Sequence, residues 1–277
     1  MTKSPITSRS RSGSPRSGAD APPAKKPKPG AAPDAGGAGD APREPAPSVA
    51  SSEQVVEQPS ATPGLFRRVQ RGEALVREYD VEAGTTSGRA AHALALTLAR
   101  SFRAELHGAR VVEVGASDGC AGLNAAKLGA STVFFTDDHP ESVAALRVDA
   151  MYNGVVAKAA ALDWEWGAPL PKRIAASGVD IVLGSDLLFS PWECTRLGVG
   201  LDALAALNPK LRFLFAATRD PNLRLMEDAC LAALEERGWA KRSLRMSPDD
   251  AKALEPDDPA SLPEGATIAL WEFTKRA

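Results

Sequence analysis

The chain has 277 residues, of which 44% are hydrophobic and 25% charged, with a formal net charge of −2, which is typical of a soluble globular protein. It contains no apolar run long enough to span a membrane and no apolar signal-peptide segment. Three widely spaced cysteines, Cys120, Cys194 and Cys230, fit neither a disulfide framework nor a zinc site, so we expect a reducing, intracellular compartment.

Residues 1–64 differ in composition from the rest of the chain. They consist mainly of Ser, Pro, Ala, Gly and charged residues, which cannot bury enough apolar surface to offset the entropy of ordering. We therefore predict a disordered tail over 1–64 and one folded domain over 65–277. The tail holds eight basic and six acidic residues, which leaves −4 on the domain. This balance disfavours nucleic acid and is compatible with a basic protein substrate.

The tail carries two targeting patterns that stay ambiguous. The stretch KKPKP, with Lys25, Lys26 and Lys28, is typical of a nuclear-import signal and equally of a solvated basic segment. The first nineteen residues are Ser- and Arg-rich like an organelle transit peptide, although Pro5 and Pro15 disfavour the amphipathic helix that such a peptide needs. We expect a cytoplasmic or nuclear protein and leave organelle targeting open.

From residue 87 onward, helical and extended patterns alternate. Apolar residues at three- and four-residue steps, and glycines at helix ends, predict helices over 87–102, 120–130, 140–154, 191–207 and 222–238. Short apolar runs predict strands over 109–115, 131–137, 155–164, 179–186, 211–219, 239–246 and 267–276. No helix separates the last two strands, which can pair antiparallel.

This alternation predicts an α/β fold with a doubly wound, Rossmann-like sheet of seven mostly parallel strands and an antiparallel C-terminal strand. Ligands of such folds bind beyond the carboxyl ends of the strands. The residues that carry function should therefore lie near 115–122, 137–138, 163–166, 185–189 and 218–220.

The turn after the first of these strands reads acid-x-Gly-x-Ser-x-Gly, from Glu113 to Gly119. A dinucleotide-binding loop reads G-x-G-x-x-G and does not need the acid. The stretch resembles the first motif of class I S-adenosylmethionine-dependent methyltransferases, which implies that Glu113, Gly115, Ser117 and Gly119 form a cofactor loop. The alternative is a loop without a ligand. Ser117 replaces a glycine, so it either adopts a strained backbone angle or changes the turn, and Asp118 can hydrogen-bond within the loop.

Acids follow the next two strands. Asp137 or Asp138 can accept hydrogen bonds from both ribose hydroxyls, or can cap the helix that begins at Pro140. In the segment LDWEWG, Asp163 can accept from the adenine amine. Trp164 or Trp166 can offer the adenine an apolar face, or can pack under the loop.

The next strand ends in GSDLLFSPW. Asp186-Leu-Leu-Phe189 resembles the acid-x-x-(Tyr/Phe) hallmark of the family 16 protein methyltransferases, most of which modify lysine, and LDWEWG echoes their tryptophan segment. The resemblance covers roughly 85–275, with TTSGRAA (85–91) where many members carry Trp-Pro. It implies that Asp186 holds the acceptor amine and that Phe189 packs on its alkyl stem.

Three assignments complete the predicted site. Asp186 can alternatively cap a helix, and Trp192 can shape the substrate mouth or serve packing. Ser185 joins the predicted cofactor-binding residues, and no metal is expected.

The sequence thus predicts an S-adenosylmethionine-dependent methyltransferase that acts on a protein side chain, lysine before arginine. Two alternatives stay open: a small-molecule or nucleic-acid methyltransferase on the same fold, and a degenerate binding scaffold. A protein partner and a monomer are expected, without nucleic acid or membrane.

Overall fold

The structure, a computed structural model, describes residues 55–56, 66–79, 88–187, 190–254 and 264–276. The strands are β1 (Val55–Val56), β2 (Phe66–Arg71), β3 (Ala74–Tyr79), β4 (Arg110–Val114), β5 (Thr132–Asp137), β6 (Ala159–Asp163), β7 (Ile181–Ser185), β8 (Arg212–Arg219), β9 (Trp239–Ser243) and β10 (Thr267–Lys275). The helices are α1 (Arg89–Ser101), α2 (Arg103–Leu106), α3 (Cys120–Lys127), α4 (Pro140–Tyr152), α5 (Lys172–Ser177), α6 (Pro191–Leu207), α7 (Arg224–Glu236) and α8 (Pro248–Ala253).

Seven strands form one sheet in the order β6-β5-β4-β7-β8-β10-β9. Neighbouring strands from β6 to β8 pair in parallel, whereas β10 runs antiparallel to both β8 and β9. The predicted Rossmann-like fold with its antiparallel C-terminal strand is confirmed. The prediction that no helix separates the last two strands is wrong, because α8 lies between β9 and β10 in the chain, although the two strands pair antiparallel as expected. The strand order changes direction between β4 and β7, which places the expected ligand site at the carboxyl ends of these two strands.

Two apolar layers cover the sheet because consecutive strand residues face opposite sides. Val111 packs in the layer that contains α1, α3 and α4, and Val112 packs in the layer that contains α5, α6 and α7. Phe135 and Phe134 divide between the same two layers. Each central strand is therefore buried on both faces, as a doubly wound sheet requires.

A second sheet, in the order β1-β2-β3, precedes α1, in a region to which the sequence patterns assign no element. Two buried asparagines bind its β2–β3 hairpin through the backbone. Asn124 of α3 donates to the Arg71 carbonyl oxygen and accepts from the Glu73 N–H. Asn153, after α4, accepts from the Leu75 N–H at 2.9 Å and donates to the Leu75 carbonyl oxygen at 2.8 Å. The hairpin is thus fixed to the two helices.

Strand β6 is shorter than predicted. Val155 lies in the turn that ends α4, where its N–H donates to the Ala150 carbonyl oxygen and its side chain is buried. Residues 155–158 therefore serve the turn, and only Ala159–Asp163 pair with β5.

The prediction that the cysteines form no disulfide is wrong. Cys194 of α6 and Cys230 of α7 are bonded, and Cys120 is a buried free thiol. The pair is 36 residues apart in sequence, but α6 and α7 pack side by side and bring the two Cα atoms to 5.5 Å. Sequence spacing does not reveal which helices become neighbours. The prediction of a reducing compartment rested on the expected absence of a disulfide, so it is no longer supported.

Within the described ranges, no helix has both the length and the apolar character that crossing a bilayer requires.

Candidate active site

The predicted cofactor loop connects β4 to α3 and turns sharply. Gly115, Ser117 and Gly119 all have positive φ angles, of 57°, 47° and 72°. Ser117 therefore adopts the strained left-handed angle, the first of the two possibilities that the sequence left open, at a cost of about 1–2 kcal/mol. Its N–H donates to Asp137 Oδ2 at 2.9 Å, which ties the loop to the end of the neighbouring strand β5.

Asp118 supports the same turn from within. Its Oδ1 accepts from the Cys120 N–H at 3.0 Å, as predicted for a short acid in a turn. The turn is closed by a hydrogen bond of 2.6 Å from the Gly119 N–H to the Ala116 carbonyl oxygen. The loop therefore holds its shape through its own backbone and one side chain.

Two glycines of this segment allow close packing. A Cβ on Gly115 would lie 2.7 Å from Leu187 Cδ2 and 2.8 Å from Trp166 Cζ2. A Cβ on Gly122 would lie 2.5 Å from Glu113 Oε2. Gly115 thus marks the place where the cofactor loop touches the segments after β6 and β7, and Gly122 lets α3 approach β4.

Glu113 lies beneath the loop. Its side chain is buried, and Oε2 accepts from the Gly122 N–H at 2.9 Å. Burial, with the nearby Asp118 charge, raises the pKa of Glu113 well above its usual value, against the effect of the backbone hydrogen bonds. Through this hydrogen bond Glu113 positions the first turn of α3.

Asp137 is 6% exposed at the end of β5. Besides the bond from Ser117, its Oδ1 accepts from the His139 N–H at 3.0 Å. A carboxylate has about four lone-pair sites, so acceptor capacity remains for ribose hydroxyls. Helix α4 begins after His139, whose side chain forms no capping hydrogen bond.

Asp138 points towards solvent, with its side chain 55% exposed, and lies 2.9 Å from His139 Nδ1. The negative charges of Asp138 and then Asp137 raise the pKa of His139. Of the two acids predicted here, Asp137 is the one that joins the cofactor loop.

The tryptophan segment after β6 divides into a buried and an open part. Trp164 is 3% exposed and packs towards Gly200 of α6, with its Nε1 donating to the Ala168 carbonyl oxygen. This is the packing role that the sequence kept as an alternative. Trp166 is half-buried and lies against Gly115, while Asp163 is exposed at the end of β6. Of the two tryptophans, Trp166 is therefore the one that lies against the cofactor loop.

Asp186 follows Ser185 at the end of β7 and has a positive φ angle of 48°. Its carboxylate is held by one residue of β8: Oδ1 accepts from the Thr218 N–H at 2.6 Å and Oδ2 from Thr218 Oγ1 at 3.3 Å. Burial raises the pKa of Asp186, and the hydrogen bonds from Thr218 act in the opposite direction.

The cap of α6 is Ser190, whose Oγ accepts from the Glu193 N–H at 3.2 Å. The helix-cap alternative for Asp186 is therefore not what the structure shows. Phe189, the predicted partner of Asp186, lies outside the described residues.

Trp192, in the first turn of α6, is 63% exposed. The guanidinium of Arg196 lies 4.1 Å from the centre of its ring, and Arg196 Nε donates to the Trp166 carbonyl oxygen at 2.6 Å. Arg196 also pairs with Glu165 at 2.5 Å. Trp192 is thus joined to the tryptophan segment and borders the same edge of the sheet, where the sequence allowed it to shape a substrate mouth.

Sequence reasoning missed Thr218 as a contact of Asp186. The rule that ligands bind at strand ends pointed to 218–220, but a threonine at a strand end carries no chemical signature of its own. The hydrogen bonds require β7 and β8 to be neighbours, which only the fold establishes.

These residues fit S-adenosylmethionine. Gly115 lets Leu187 and Trp166 pack directly against the backbone of the cofactor loop, since a Cβ there would lie within 3 Å of both side chains. Asp137 retains acceptor capacity, and Asp163 and Trp166 provide an acceptor and an aromatic ring.

Several solved structures are similar to this chain. The chain is similar to Trm5b from Pyrococcus abyssi, with 11% identity and a TM-score of 0.50 over 80% of this chain and 62% of that chain. It is also similar to ribosomal protein L11 methylase from Lactobacillus delbrueckii subsp. bulgaricus, with 20% identity and a TM-score of 0.48 over 68% and 80%. A third similar structure is magnesium protoporphyrin IX methyltransferase from Synechocystis PCC 6803 with bound SAH, with 12% identity and a TM-score of 0.46 over 71% and 90%.

No curated protein sequence matches the chain. The family model described as lysine methyltransferase matches residues 83–229, which include the cofactor loop, Asp137, Asp163 and Asp186. The chain therefore belongs to this methyltransferase family, has its class I fold and uses S-adenosylmethionine as cofactor.

Proposed function

We propose that this methyltransferase modifies the side-chain nitrogen of a lysine in a protein. The observation that carries the proposal is the place of Asp186. Its carboxylate is fixed at the end of β7, and the next residue, Leu187, packs towards Gly115 of the cofactor loop. A polar acceptor group is thus held beside the place where the loop would hold the cofactor.

When bound, S-adenosylmethionine supplies a methyl group on a positively charged sulfonium. The loop from Gly115 to Gly119 would hold its methionine and ribose parts, Asp137 the ribose hydroxyls, and Asp163 and Trp166 the adenine. The protein's contribution to methyl transfer is chiefly alignment of the acceptor.

Asp186 would supply that alignment. Each of its oxygens already accepts one hydrogen bond from Thr218, which leaves acceptor sites for the N–H groups of an amine. Because Thr218 fixes the carboxylate of Asp186, that carboxylate can orient the acceptor nitrogen without moving. A guanidinium would bind the same acid, so the preference for lysine draws its support from the family description.

The charges at this edge favour a cationic acceptor. Asp138, Asp163 and Glu165 are exposed there. Arg219, at the end of β8, pairs with Glu227 and, at 2.7 Å, with Asp228. Nucleic-acid binding depends on cations that can neutralise phosphates, and both Arg196 and Arg219 are already paired with acids here. A positively charged protein segment suits it better.

The test is methyl transfer from S-adenosylmethionine carrying a labelled methyl group to the proteins of a cell extract, followed by mass spectrometry of the labelled band. We expect label on protein, at lysine, with the wild-type chain. The matched variant Asp186→Asn keeps the size of the side chain and removes its charge, and it should abolish labelling.

One control and two contrary outcomes make the result specific. A rise in melting temperature with S-adenosylhomocysteine, the product of methyl transfer, must show that wild type and Asp186→Asn both bind it. A ligand that binds the native state raises the stability of the protein. Label in nucleic acid or in small molecules, with none in protein, would contradict the proposal. Label at arginine would keep a protein substrate and overturn lysine.

A further inference from the structure

Helix α1 begins beside the cofactor loop. It leads into α2 and then β4, so its C-terminal end lies near the start of β4 and its N-terminal end near the carboxyl edge of the sheet. The packing agrees, since a Cβ on Gly88 would lie 3.7 Å from Asp118 Oδ2 of the loop. Arg89, the first residue of α1, directly follows Gly88 and so begins the helix next to the loop, near Asp118.

The guanidinium of Arg89 lacks a counter-charge among the described residues. Its Nε atom is buried without a hydrogen-bond partner in that part of the chain. The first turn of α1 contains no acid, and the positive end of the helix dipole adds to the charge there. An unpaired cation in a half-buried place is unfavourable, and an anion bound beside it would remove this cost.

The surroundings of Arg89 add to its positive field. Burial and then the charge of Arg71, at the end of β2, lower the pKa of Arg89. His92, one turn further along α1, does not supply a negative or switchable charge, because burial and Arg71 lower its pKa to about 4 and keep it neutral. Asp118 is the nearby acid, and its Oδ1 is engaged by the Cys120 N–H.

We propose that Arg89 binds the α-carboxylate of the methionine part of S-adenosylmethionine. This carboxylate is the only anionic group of the cofactor, and a guanidinium matches a carboxylate with two parallel hydrogen bonds. The two ends of the cofactor would also meet suitable groups on different sides of the loop. Asp137, on the β5 side, would bind the ribose, and Arg89, on the α1 side, would bind the carboxylate. The proposal depends on the cofactor and is independent of which acceptor is methylated.

Arg89 belongs to the segment where this chain departs from its family. Residues 85–91 read TTSGRAA where many members carry Trp-Pro. The role proposed for Arg89 therefore rests on its place beside the loop and not on the family's pattern.

The test compares two ligands that differ in the proposed group. S-adenosylhomocysteine carries the carboxylate, whereas 5′-methylthioadenosine keeps the adenine, ribose and thioether but has no amino-acid end. Calorimetric titration would measure both with wild type and Arg89→Met. We expect Arg89→Met to weaken S-adenosylhomocysteine by about tenfold or more, the loss of a charge-assisted pair, and to leave 5′-methylthioadenosine within about twofold.

Two further variants control the comparison. Arg89→Lys should recover part of the affinity for S-adenosylhomocysteine, because a point charge replaces the planar fork. Arg103→Met removes the same charge from α2, where the side chain is 58% exposed, and should change neither affinity. Retained binding of 5′-methylthioadenosine shows that a variant is folded.

The proposal is overturned if Arg89→Met weakens both ligands equally or neither. If Arg89→Met does not fold, the test rests on wild type and Arg89→Lys, with the methyl ester of S-adenosylhomocysteine as the neutral ligand. Equal affinity of wild type for the acid and its ester would then contradict a carboxylate subsite. Wild type that binds neither S-adenosylhomocysteine nor 5′-methylthioadenosine would contradict the cofactor itself and the Arg89 subsite with it, whereas failure of methyl transfer alone touches only the proposed acceptor.

Discussion

The loops after β4 and β7 share an unusual backbone feature and use it in opposite ways. Ser117 and Asp186 are the two non-glycine residues with positive φ angles in the described part of the chain, at 47° and 48°. At Ser117 the backbone N–H is the donor, and the acid that receives it belongs to the next strand. At Asp186 the side chain is the acid, and the N–H belongs to the next strand.

This difference separates a loop defined by its backbone from a loop defined by one side chain. At position 117 every residue except proline has the N–H that binds Asp137, so this bond between the loop and β5 does not depend on the serine side chain. At position 186 the carboxylate itself holds the turn to Thr218. Backbone strain of this kind clusters at functional sites. Here the two strained residues lie in the loop proposed to hold the methyl donor and in the loop proposed to hold the acceptor.

The contact between the two loops is the most sensitive point. In Gly115→Ala, the new Cβ would collide with Leu187 and Trp166 and would occupy a left-handed angle. Strain and overpacking together should cost on the order of 3 kcal/mol of unfolding free energy. Denaturant unfolding with and without S-adenosylhomocysteine measures both the loss of stability and the expected loss of ligand stabilisation. A variant as stable as wild type would mean that the loops do not pack as described.

Removal of the side chain that defines the second loop should affect transfer more than binding. Asp186→Ala should lower methyl transfer by about a hundredfold, as expected for loss of a group that acts on the acceptor. Its affinity for S-adenosylhomocysteine should stay within about twofold. The two quantities are measured by labelled-methyl transfer and by calorimetry, and equal loss of both would place Asp186 in the cofactor site instead.

The pH dependence of transfer tests the same carboxylate. Asp186 binds an amine best when ionised, and burial raises its pKa, so transfer should fall as the pH decreases towards that raised pKa. Thr218→Val removes the hydroxyl that opposes the rise, and should move the acidic limb to higher pH, while Thr218→Ser should restore it. An acidic limb at the same pH in all three chains would show that Asp186 does not control it.

The smallest change in stability is expected at Ser117, in the loop after β4. Ser117→Gly relieves about 1–2 kcal/mol of strain, and about 0.4–1 kcal/mol of this is offset by the greater freedom of glycine in the unfolded chain. A net gain between about 0 and 1.6 kcal/mol should raise the melting temperature by about 6 °C at most. The matched variant Asp186→Gly has the same backbone relief but leaves the Thr218 N–H without its acceptor, and should melt lower than wild type. Melting curves of the two variants decide this, and the same sign in both would remove the distinction between the loops.

The sequence predicted the sheet well because its signals are local. Apolar runs such as Val111–Val114 and glycine-ended helices follow from burial and backbone geometry, and they gave every strand of the large sheet. Motif spacing also placed Ser117, Asp137 and Asp186 at the correct edge. The bond from Thr218, the contact of Trp166 with Gly115 and the Cys194–Cys230 disulfide join residues that are distant in sequence, and no local pattern encodes them.

The hairpin of β2 and β3 has a consequence for how this sequence can change. Asn124 and Asn153 bind the hairpin through hydrogen bonds to backbone N–H and C=O groups, as peptide-binding proteins do. Every residue except proline has both of these groups. Mutations at Arg71, Glu73 or Leu75 can therefore accumulate without loss of these bonds, whereas the two asparagines cannot be exchanged. We therefore expect the sequence of the hairpin to vary among relatives while its position stays the same. The two asparagines that bind it should vary least.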